Sequence, residues 1–170
     1  MDHFARLGLP AALELEPAAL DRAYFAGQRQ WHPDRFARRP AAERAQASTQ
    51  AAALNDAYRT LKDPLRRAVY LAELKGVELP AEGRTIDDPE LLMEAMEARE
   101  ALAEAADVAA VDRLAGEART HLQSALAGLA SLFLRDDKPA IRKALLRLRY
   151  LDKFAEEARA RRINLERSSA

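Results

Sequence analysis

Apolar side chains recur every three or four residues along most of this chain, which is the spacing of one buried face of an α-helix. The pattern predicts helices over residues 2–7, 17–31, 41–62, 64–75, 89–106 and 107–135, and a last helix that follows a turn at 136–139 and ends near 162. Alanine and leucine supply most of the apolar residues, and β-branched residues, which lose rotamer freedom in a helix, are sparse. We therefore expect an all-α protein.

A long break in the helical pattern divides the chain into two predicted domains. Residues 1–75 hold the first four helices, a helical hairpin with short helices around it. Residues 76–87 lack helical periodicity, contain Pro80 and Gly83, and are predicted to form a linker. Residues 88–163 hold three long helices with short connections, which indicates a three-helix bundle. The mostly polar residues 164–170 are predicted to fray.

Composition removes several classes of function. The chain has 27 basic and 27 acidic residues and no cysteine, so neither a disulfide framework nor a thiolate-held zinc or iron–sulfur centre is available. No apolar stretch approaches the roughly 20 residues that span a bilayer, and the first residues lack the basic and apolar segments of a secretory signal. We expect a cytoplasmic protein with no cofactor, no metal and no membrane partner.

The tripeptide His32-Pro33-Asp34 follows the second predicted helix. Pro33 disfavours helical geometry at His32 and ends that helix, so the tripeptide is displayed in the loop of a helical hairpin. Asp34 offers a negative charge to an arginine of a partner. Three arginines provide a basic surface that would steer an acidic partner toward the loop: Arg22, Arg29 and Arg35.

The surroundings of the tripeptide carry more information than the tripeptide itself, which alone would equally form a simple turn with an exposed histidine. Trp31 precedes it, Arg35 follows it, and the segment Asn55-Asp56-Ala57-Tyr58 lies in the next long helix. This arrangement resembles a J domain and covers residues 1–75. The resemblance implies that His32, Pro33 and Asp34 couple docking to ATP hydrolysis by a DnaK-type chaperone of the heat-shock protein 70 family. The hydrolytic groups would belong to that chaperone.

Two helices of the second predicted domain hold more apolar residues than one buried face requires. In the helix from Pro89 the core stripe is Leu91, Ala95, Ala98 and Leu102. Three further apolar residues fall outside it: Leu92, Met93 and Met96. In the last helix three residues fall opposite the predicted core stripe: Leu146, Tyr150 and Phe154. Exposed apolar patches rimmed by charge are candidate binding sites, although wider packing or the J domain would also cover them.

The segment Leu91–Glu100, taken with Leu148–Lys153 and the opening Asp2-His3-Phe4, resembles the HscB family over nearly the full length. Members are J-type co-chaperones of iron–sulfur cluster assembly. The resemblance implies an HscA-like chaperone and an IscU-like cluster scaffold as partners. It carries the scaffold-binding positions onto seven residues of this sequence: Leu92, Met93, Met96, Glu97, Glu100, Arg149 and Tyr150. It gives no role for Phe154. A cysteine-rich N-terminal segment of eukaryotic members is missing, which implies a bacterial protein.

Three other functions compete with this interpretation. An enzyme is disfavoured because the sequence has no glycine-rich phosphate loop, no His-Glu-x-x-His pattern and no nucleophile–base pair. A nucleic-acid-binding protein is disfavoured because the net charge is zero. A general J-domain co-chaperone with a different client shares the first domain, but in such a protein Leu92, Met93 and Met96 would be dispensable.

Overall fold

The computed structural model describes residues 1–81, 84 and 86–168, and within them the prediction of an all-α protein is confirmed. The chain divides into two compact units, unit 1 from Met1 to Leu74 and unit 2 from Lys75 to Ala170. The described helices are α1 (His3–Arg6), α2 (Pro17–Trp31), α3 (Pro33–Phe36), α4 (Ala41–Lys62), α5 (Pro64–Leu74), α6 (Pro89–Glu104), α7 (Val108–Leu134) and α8 (Lys138–Ser168).

Unit 1 is built on a hairpin of α2 and α4. The two helices are antiparallel, because Asp21 pairs with Tyr58 while Tyr24 pairs with Asn55. α1 packs on α4, and the Asp2 side chain caps α1 by accepting a hydrogen bond from Ala5 N. The core of the unit contains these buried side chains: Phe4, Leu7, Leu20, Ala47, Leu54, Ala57, Leu61, Ala68, Leu71 and Ala72.

Unit 2 is an up-down-up bundle of α6, α7 and α8. α6 runs parallel to α8, because Asp87 pairs with Arg142 and Arg99 pairs with Glu157 further along both helices. Asp88 caps the N-terminus of α6 by accepting from Leu91 N, as the Asp-Pro sequence predicts. α7 and α8 are joined by a tight turn in which Asp136 adopts a left-handed conformation, with φ of 52°.

The described part of the predicted linker lies within unit 2. Glu82, Gly83 and Thr85 are outside the described residues. Val77 is buried, and Arg142 Nε donates to the carbonyl oxygen of Glu78. The division between the two units falls between Leu74 and Lys75. The described part of this segment is therefore held against α8.

The chain end also differs from its prediction, because α8 continues to Ser168 instead of ending near residue 162 and fraying. Leu165 packs against the core cluster of unit 2. Arg162 forms an ion pair with Glu166 one turn further on, and Ser168 Oγ donates to Asn164 O. These contacts extend the helix over residues that composition alone marked as polar, and residues 169–170 lie outside the described part.

Candidate functional site

The turn at His32 is ordered by its own residues. α2 ends at Trp31, Pro33 is the first residue of α3, and His32 between them is extended, with φ of −61° and ψ of 131°. His32 Nδ1 accepts a hydrogen bond from the backbone N–H of Asp34 at 3.3 Å. The same Nδ1 atom lies 3.6 Å from Asp34 Oδ2. The Asp34 side chain is 91% exposed and that of His32 is 53% exposed, so both face solvent.

The arginines around this turn differ in their contacts. Arg35 Nη1 donates to the carbonyl oxygen of Arg29 at 2.9 Å, which ties α3 to the last turn of α2. Arg22 forms an ion pair with Glu16 at 3.4 Å. All three arginines are exposed. Arg35 thus has a structural role in holding the turn, which sequence reasoning did not assign to it.

An aromatic and polar cluster joins α2 to α4 along the hairpin. The rings of Tyr24 and Tyr58 stack with centroids 4.1 Å apart. Tyr58 OH donates to Asp21 Oδ1 at 2.7 Å, and Tyr24 OH donates to Asn55 Oδ1 at 2.9 Å. Gln28 Nε2 also donates to Asn55. In the sequence, segment 55–58 was noted only as part of the J-domain pattern. In the structure, Asn55 and Tyr58 of this segment hold α4 against α2.

The outer face of α6 exposes two methionines. Met93 is 63% exposed and Met96 is 60% exposed, whereas Leu92 is half-buried. Glu97 and Glu100 are exposed beside them. The core stripe of the same helix is turned inward, with Leu91, Ala95 and Leu102 buried and Ala98 half-buried. The predicted apolar surface on α6 is therefore present.

On α8 the predicted exposed apolar residues are mostly not exposed. Leu146 is 3% exposed and Phe154 is 4% exposed, so placing them opposite the core was wrong. The physical reason is that α8 packs against both α6 and α7 and is covered on more than one side. Phe154 belongs to the core cluster with Leu102 of α6 and Val111 of α7.

Tyr150 and Arg149 are held by different partners. Tyr150 is half-buried, and its OH donates to Glu94 Oε2 at 3.4 Å. Burial, reinforced by the Glu94 carboxylate, raises the pKa of the Tyr150 phenol above its ordinary value. Arg147 binds the same carboxylate through Nε and Nη2. Arg149 instead donates through Nη1 to the carbonyl oxygen of Pro80 at 2.7 Å.

A cleft of about 640 Å³ lies between α6 and α7 above α8. Two of the seven expected scaffold-binding residues, Glu97 and Tyr150, line this cleft. Leu151 and Phe154 contribute apolar lining, and His121 lies at its wall. The other five residues do not line the cleft: Leu92, Met93, Met96, Glu100 and Arg149. The expected set is therefore divided among the outer face of α6, the neighbouring cleft and Arg149 of α8, which contacts Pro80 instead.

Ion pairs join α6 to α8 along their length. Glu94 pairs with Arg147 and Glu90 with Lys143. Much of the opposite charge on the two helices is therefore paired within unit 2. Within residues 1–81, 84 and 86–168, no group of three or more His, Cys, Asp or Glu residues is arranged to hold a metal ion. None of the described helices has the length and apolar character needed to cross a membrane.

Comparison with known proteins gives consistent matches. A family model described as the HSCB C-terminal oligomerisation domain matches residues 87–159. The chain is 45% identical to a co-chaperone protein HscB homolog of Cupriavidus taiwanensis, over 92% of this chain and 90% of that one. It is 42% identical to the HscB homolog of Bordetella petrii, over 95% of this chain and 96% of that one.

Solved structures match over both units. The chaperone HscB from Vibrio cholerae superposes with a TM-score of 0.83 at 36% identity, covering 97% of this chain and 99% of that one. The human co-chaperone protein HscB superposes with a TM-score of 0.88 at 30% identity, covering 97% of this chain and 84% of that one. These matches confirm the predicted fold of a J domain, unit 1, followed by a C-terminal helical domain, unit 2.

Proposed function

The chain belongs to the HscB family of co-chaperones, and on that premise we propose that it binds an HscA-like chaperone through unit 1 and an IscU-like iron–sulfur scaffold through unit 2. The HscB family acts with a chaperone of the heat-shock protein 70 type in iron–sulfur cluster assembly. The residues that make each contact, and the identity of the scaffold, are the proposed part. We place this activity in the bacterial cytoplasm.

The observation that carries the chaperone contact is the solvent-exposed turn from His32 to Asp34. Its geometry is fixed by the Asp34 N–H to His32 Nδ1 hydrogen bond and by the bond from Arg35 to Arg29 O. A partner therefore meets an ordered loop and spends little entropy in ordering it. Arg22 and Arg29 lie on the helix that leads to this turn and would steer an acidic surface toward it.

The scaffold contact is supported by the exposed apolar face of α6. Met93 and Met96 are unbranched, polarizable side chains that adapt to an apolar partner surface. Glu97 and Glu100 border them and supply charge at the rim. Tyr150 in the adjacent cleft adds an aromatic ring with one polar end, a type of residue that is enriched at interfaces.

In this proposal the protein performs no chemistry itself. One chain that binds both partners raises the concentration of the scaffold at the chaperone, because the second binding event becomes intramolecular. ATP hydrolysis takes place in the chaperone, and the iron–sulfur cluster is cargo of the scaffold. Scaffold and co-chaperone together should therefore stimulate hydrolysis more than either does alone.

Single-turnover ATP hydrolysis by the cognate chaperone tests the first contact. The unmodified protein is compared with His32→Gln and with the control His121→Gln, which removes an exposed histidine of α7. Stimulation should be lost with His32→Gln and kept with His121→Gln. Equal stimulation by all three proteins would disprove the chaperone contact.

The second contact is tested by adding the scaffold protein. A variant with Leu92→Ala, Met96→Ala and Tyr150→Ala should lose scaffold binding but still stimulate basal hydrolysis. Leu134→Ala is a matched control, because Leu134 is an 88% exposed apolar residue of the same unit. Full scaffold binding by the triple variant would favour a general J-domain co-chaperone with a different client.

A further inference from the structure

Phe25 is the largest exposed apolar side chain on α2. It is 58% exposed. Every other leucine and phenylalanine of unit 1 except Leu74 is buried or partly buried. The ring lies against Tyr24, with centroids 5.4 Å apart, and more than half of the surface of Phe25 faces solvent. Packing within unit 1 therefore covers less than half of this large aromatic side chain.

The position of Phe25 on the helix relates it to the basic residues. Arg22, Phe25 and Arg29 are spaced by three and four residues, so they share one face of α2. At 1.5 Å per residue this stripe extends about 10 Å along the helix axis. Its C-terminal end, Arg29, is three residues before His32. The stripe therefore leads directly to the exposed turn.

We propose that Phe25 is an apolar anchor of the chaperone contact, inserted into an apolar depression that is bordered by carboxylates on the DnaK-type chaperone. This inference rests on the proposed function of unit 1. The DnaK-type chaperone is the expected partner of Phe25, because a partner that covers His32 and the two arginines also covers the residue between them. Charge favours the same partner, because Arg22 and Arg29 flank the ring and select a partner surface with acidic edges.

The ion pair of Arg22 with Glu16 does not block such an interface. Both side chains are about two-thirds exposed, at 69% and 65%, and their shortest separation is 3.4 Å. Exposed pairs of this kind contribute little free energy, so Arg22 can exchange Glu16 for a carboxylate of the partner. The aromatic ring adds a contribution of a different type, because burying apolar surface does not depend on charge screening.

The test measures chaperone stimulation as a function of co-chaperone concentration for Phe25→Ala, Phe25→Leu and the control Leu74→Ala. Leu74 is a 47% exposed apolar residue of the same unit, on α5. Phe25→Ala should raise the concentration for half-maximal stimulation about tenfold, as truncation of an interface anchor does, and leave the maximal rate unchanged. Phe25→Leu should restore most of the affinity, and Leu74→Ala should behave as the unmodified protein.

Salt dependence separates the anchor from the arginines. The loss caused by Phe25→Ala should be the same at low and high salt, whereas the loss caused by Arg29→Ala should shrink as salt screens the charge. Circular dichroism of each variant shows that the helices are intact. Because Phe25 is mainly exposed, its truncation should leave the thermal unfolding of unit 1 nearly unchanged.

Three results would overturn the inference. These are an unchanged half-maximal concentration for Phe25→Ala, an equal effect of Leu74→Ala, and a lower maximal rate with unchanged affinity. If His32→Gln loses stimulation while Phe25→Ala keeps full affinity, only this inference fails. If His32→Gln stimulates like the unmodified protein, the proposed function of unit 1 fails.

Discussion

Gly27 in α2 lies so close to Leu54 in α4 that a Cβ atom built on Gly27 would be 2.7 Å from Leu54 Cδ2 and 2.9 Å from Leu54 Cδ1. Leu54 is buried in the core of unit 1, at 4% exposure. The absence of a side chain at Gly27 thus permits the close approach of the two hairpin helices. This contact lies five residues before His32, so it also positions the exposed turn.

Replacing Gly27 by alanine should therefore destabilise unit 1. Both methyl groups of Leu54 would have to move within a packed core, and overpacking of this kind costs about 1–3 kcal/mol. The better helix propensity of alanine offsets about 1 kcal/mol of that cost. We expect a net decrease of about 1 kcal/mol in the free energy of unfolding, measured by urea denaturation followed by circular dichroism.

Gly128 provides the matched control, because it lies inside α7 and a Cβ atom there would meet nothing within 4 Å. Gly128→Ala should raise the free energy of unfolding of unit 2 by up to about 1 kcal/mol. A stabilising effect of both substitutions would show that Leu54 relaxes without cost.

Arg67 should be more important to unit 1 than its neighbour Arg66. Its Nε donates to Leu13 O and its Nη1 to Leu61 O, each at 2.6 Å, so one guanidinium joins a loop to the end of α4. Burial lowers the pKa of Arg67, and Asp63 partly opposes this shift. Arg67→Ala should reduce the free energy of unfolding by about 1–3 kcal/mol, because two carbonyl groups lose their donor.

The control for this prediction is Arg66→Ala, which removes an exposed side chain from the adjacent position of α5. Its effect on urea denaturation should stay within about 0.5 kcal/mol. Equal effects of the two substitutions would show that the contacts of Arg67 contribute nothing measurable.

Substitutions of Phe154 and Met93 should distinguish effects on the stability of unit 2 from effects on partner binding. Phe154 is 4% exposed in the core cluster, so Phe154→Ala should destabilise the bundle by about 3–5 kcal/mol. Met93 is 63% exposed, and Met93→Ala should leave unfolding nearly unchanged while weakening scaffold binding. Thermal unfolding and a direct binding assay on the same preparations measure both effects. Strong destabilisation by Met93→Ala would contradict its assignment to a free surface.

The phenol of Tyr150 should ionise at a higher pH than a free tyrosine side chain, because its pKa is raised. Its pKa is raised by burial and then by the Glu94 carboxylate. Because the folded-state pKa exceeds the unfolded value, the contribution of Tyr150 to stability is complete below about pH 10 and is lost as the pH rises through the folded pKa.

Alkaline titration of the phenolate absorbance measures this behaviour. Tyr150→Phe should remove a step that lies above about pH 10, the ordinary pKa of a tyrosine phenol, and leave the rest of the curve in place. If Tyr150→Phe instead removes a step at or below about pH 10, the environment of Tyr150 does not hold its proton as the contacts with Glu94 indicate.

Helix limits were predictable from the sequence where local chemistry sets them. Pro17 and Pro89 begin α2 and α6, because proline suits a first helical turn. The pair Asp88-Pro89 correctly predicted that Asp88 caps the N-terminus of α6. The His32-Pro33-Asp34 turn followed from the backbone restrictions of proline alone. The short helix α3 after it was missed, because four residues are too few to show a periodic pattern.

The second unit shows where a single-helix pattern is insufficient. A helical wheel identified Met93 and Met96 correctly, because α6 packs with one stripe. The same reasoning failed for Leu146 and Phe154, because α8 is covered from two sides and no wheel shows how many neighbours a helix has. The C-terminal extension of α8 to Ser168 likewise depends on Leu165 finding the core cluster.

The sequence by itself determined the all-α class, the division into two helical parts and the exposed turn at His32, since each depends on periodicity or on proline and glycine close by in the chain. Only the tertiary structure decided which apolar residues remain exposed, because burial depends on residues distant in sequence. It buried Phe154 beneath two helices, left Phe25 in solvent between two arginines, and brought Tyr150 to Glu94 from 56 positions away.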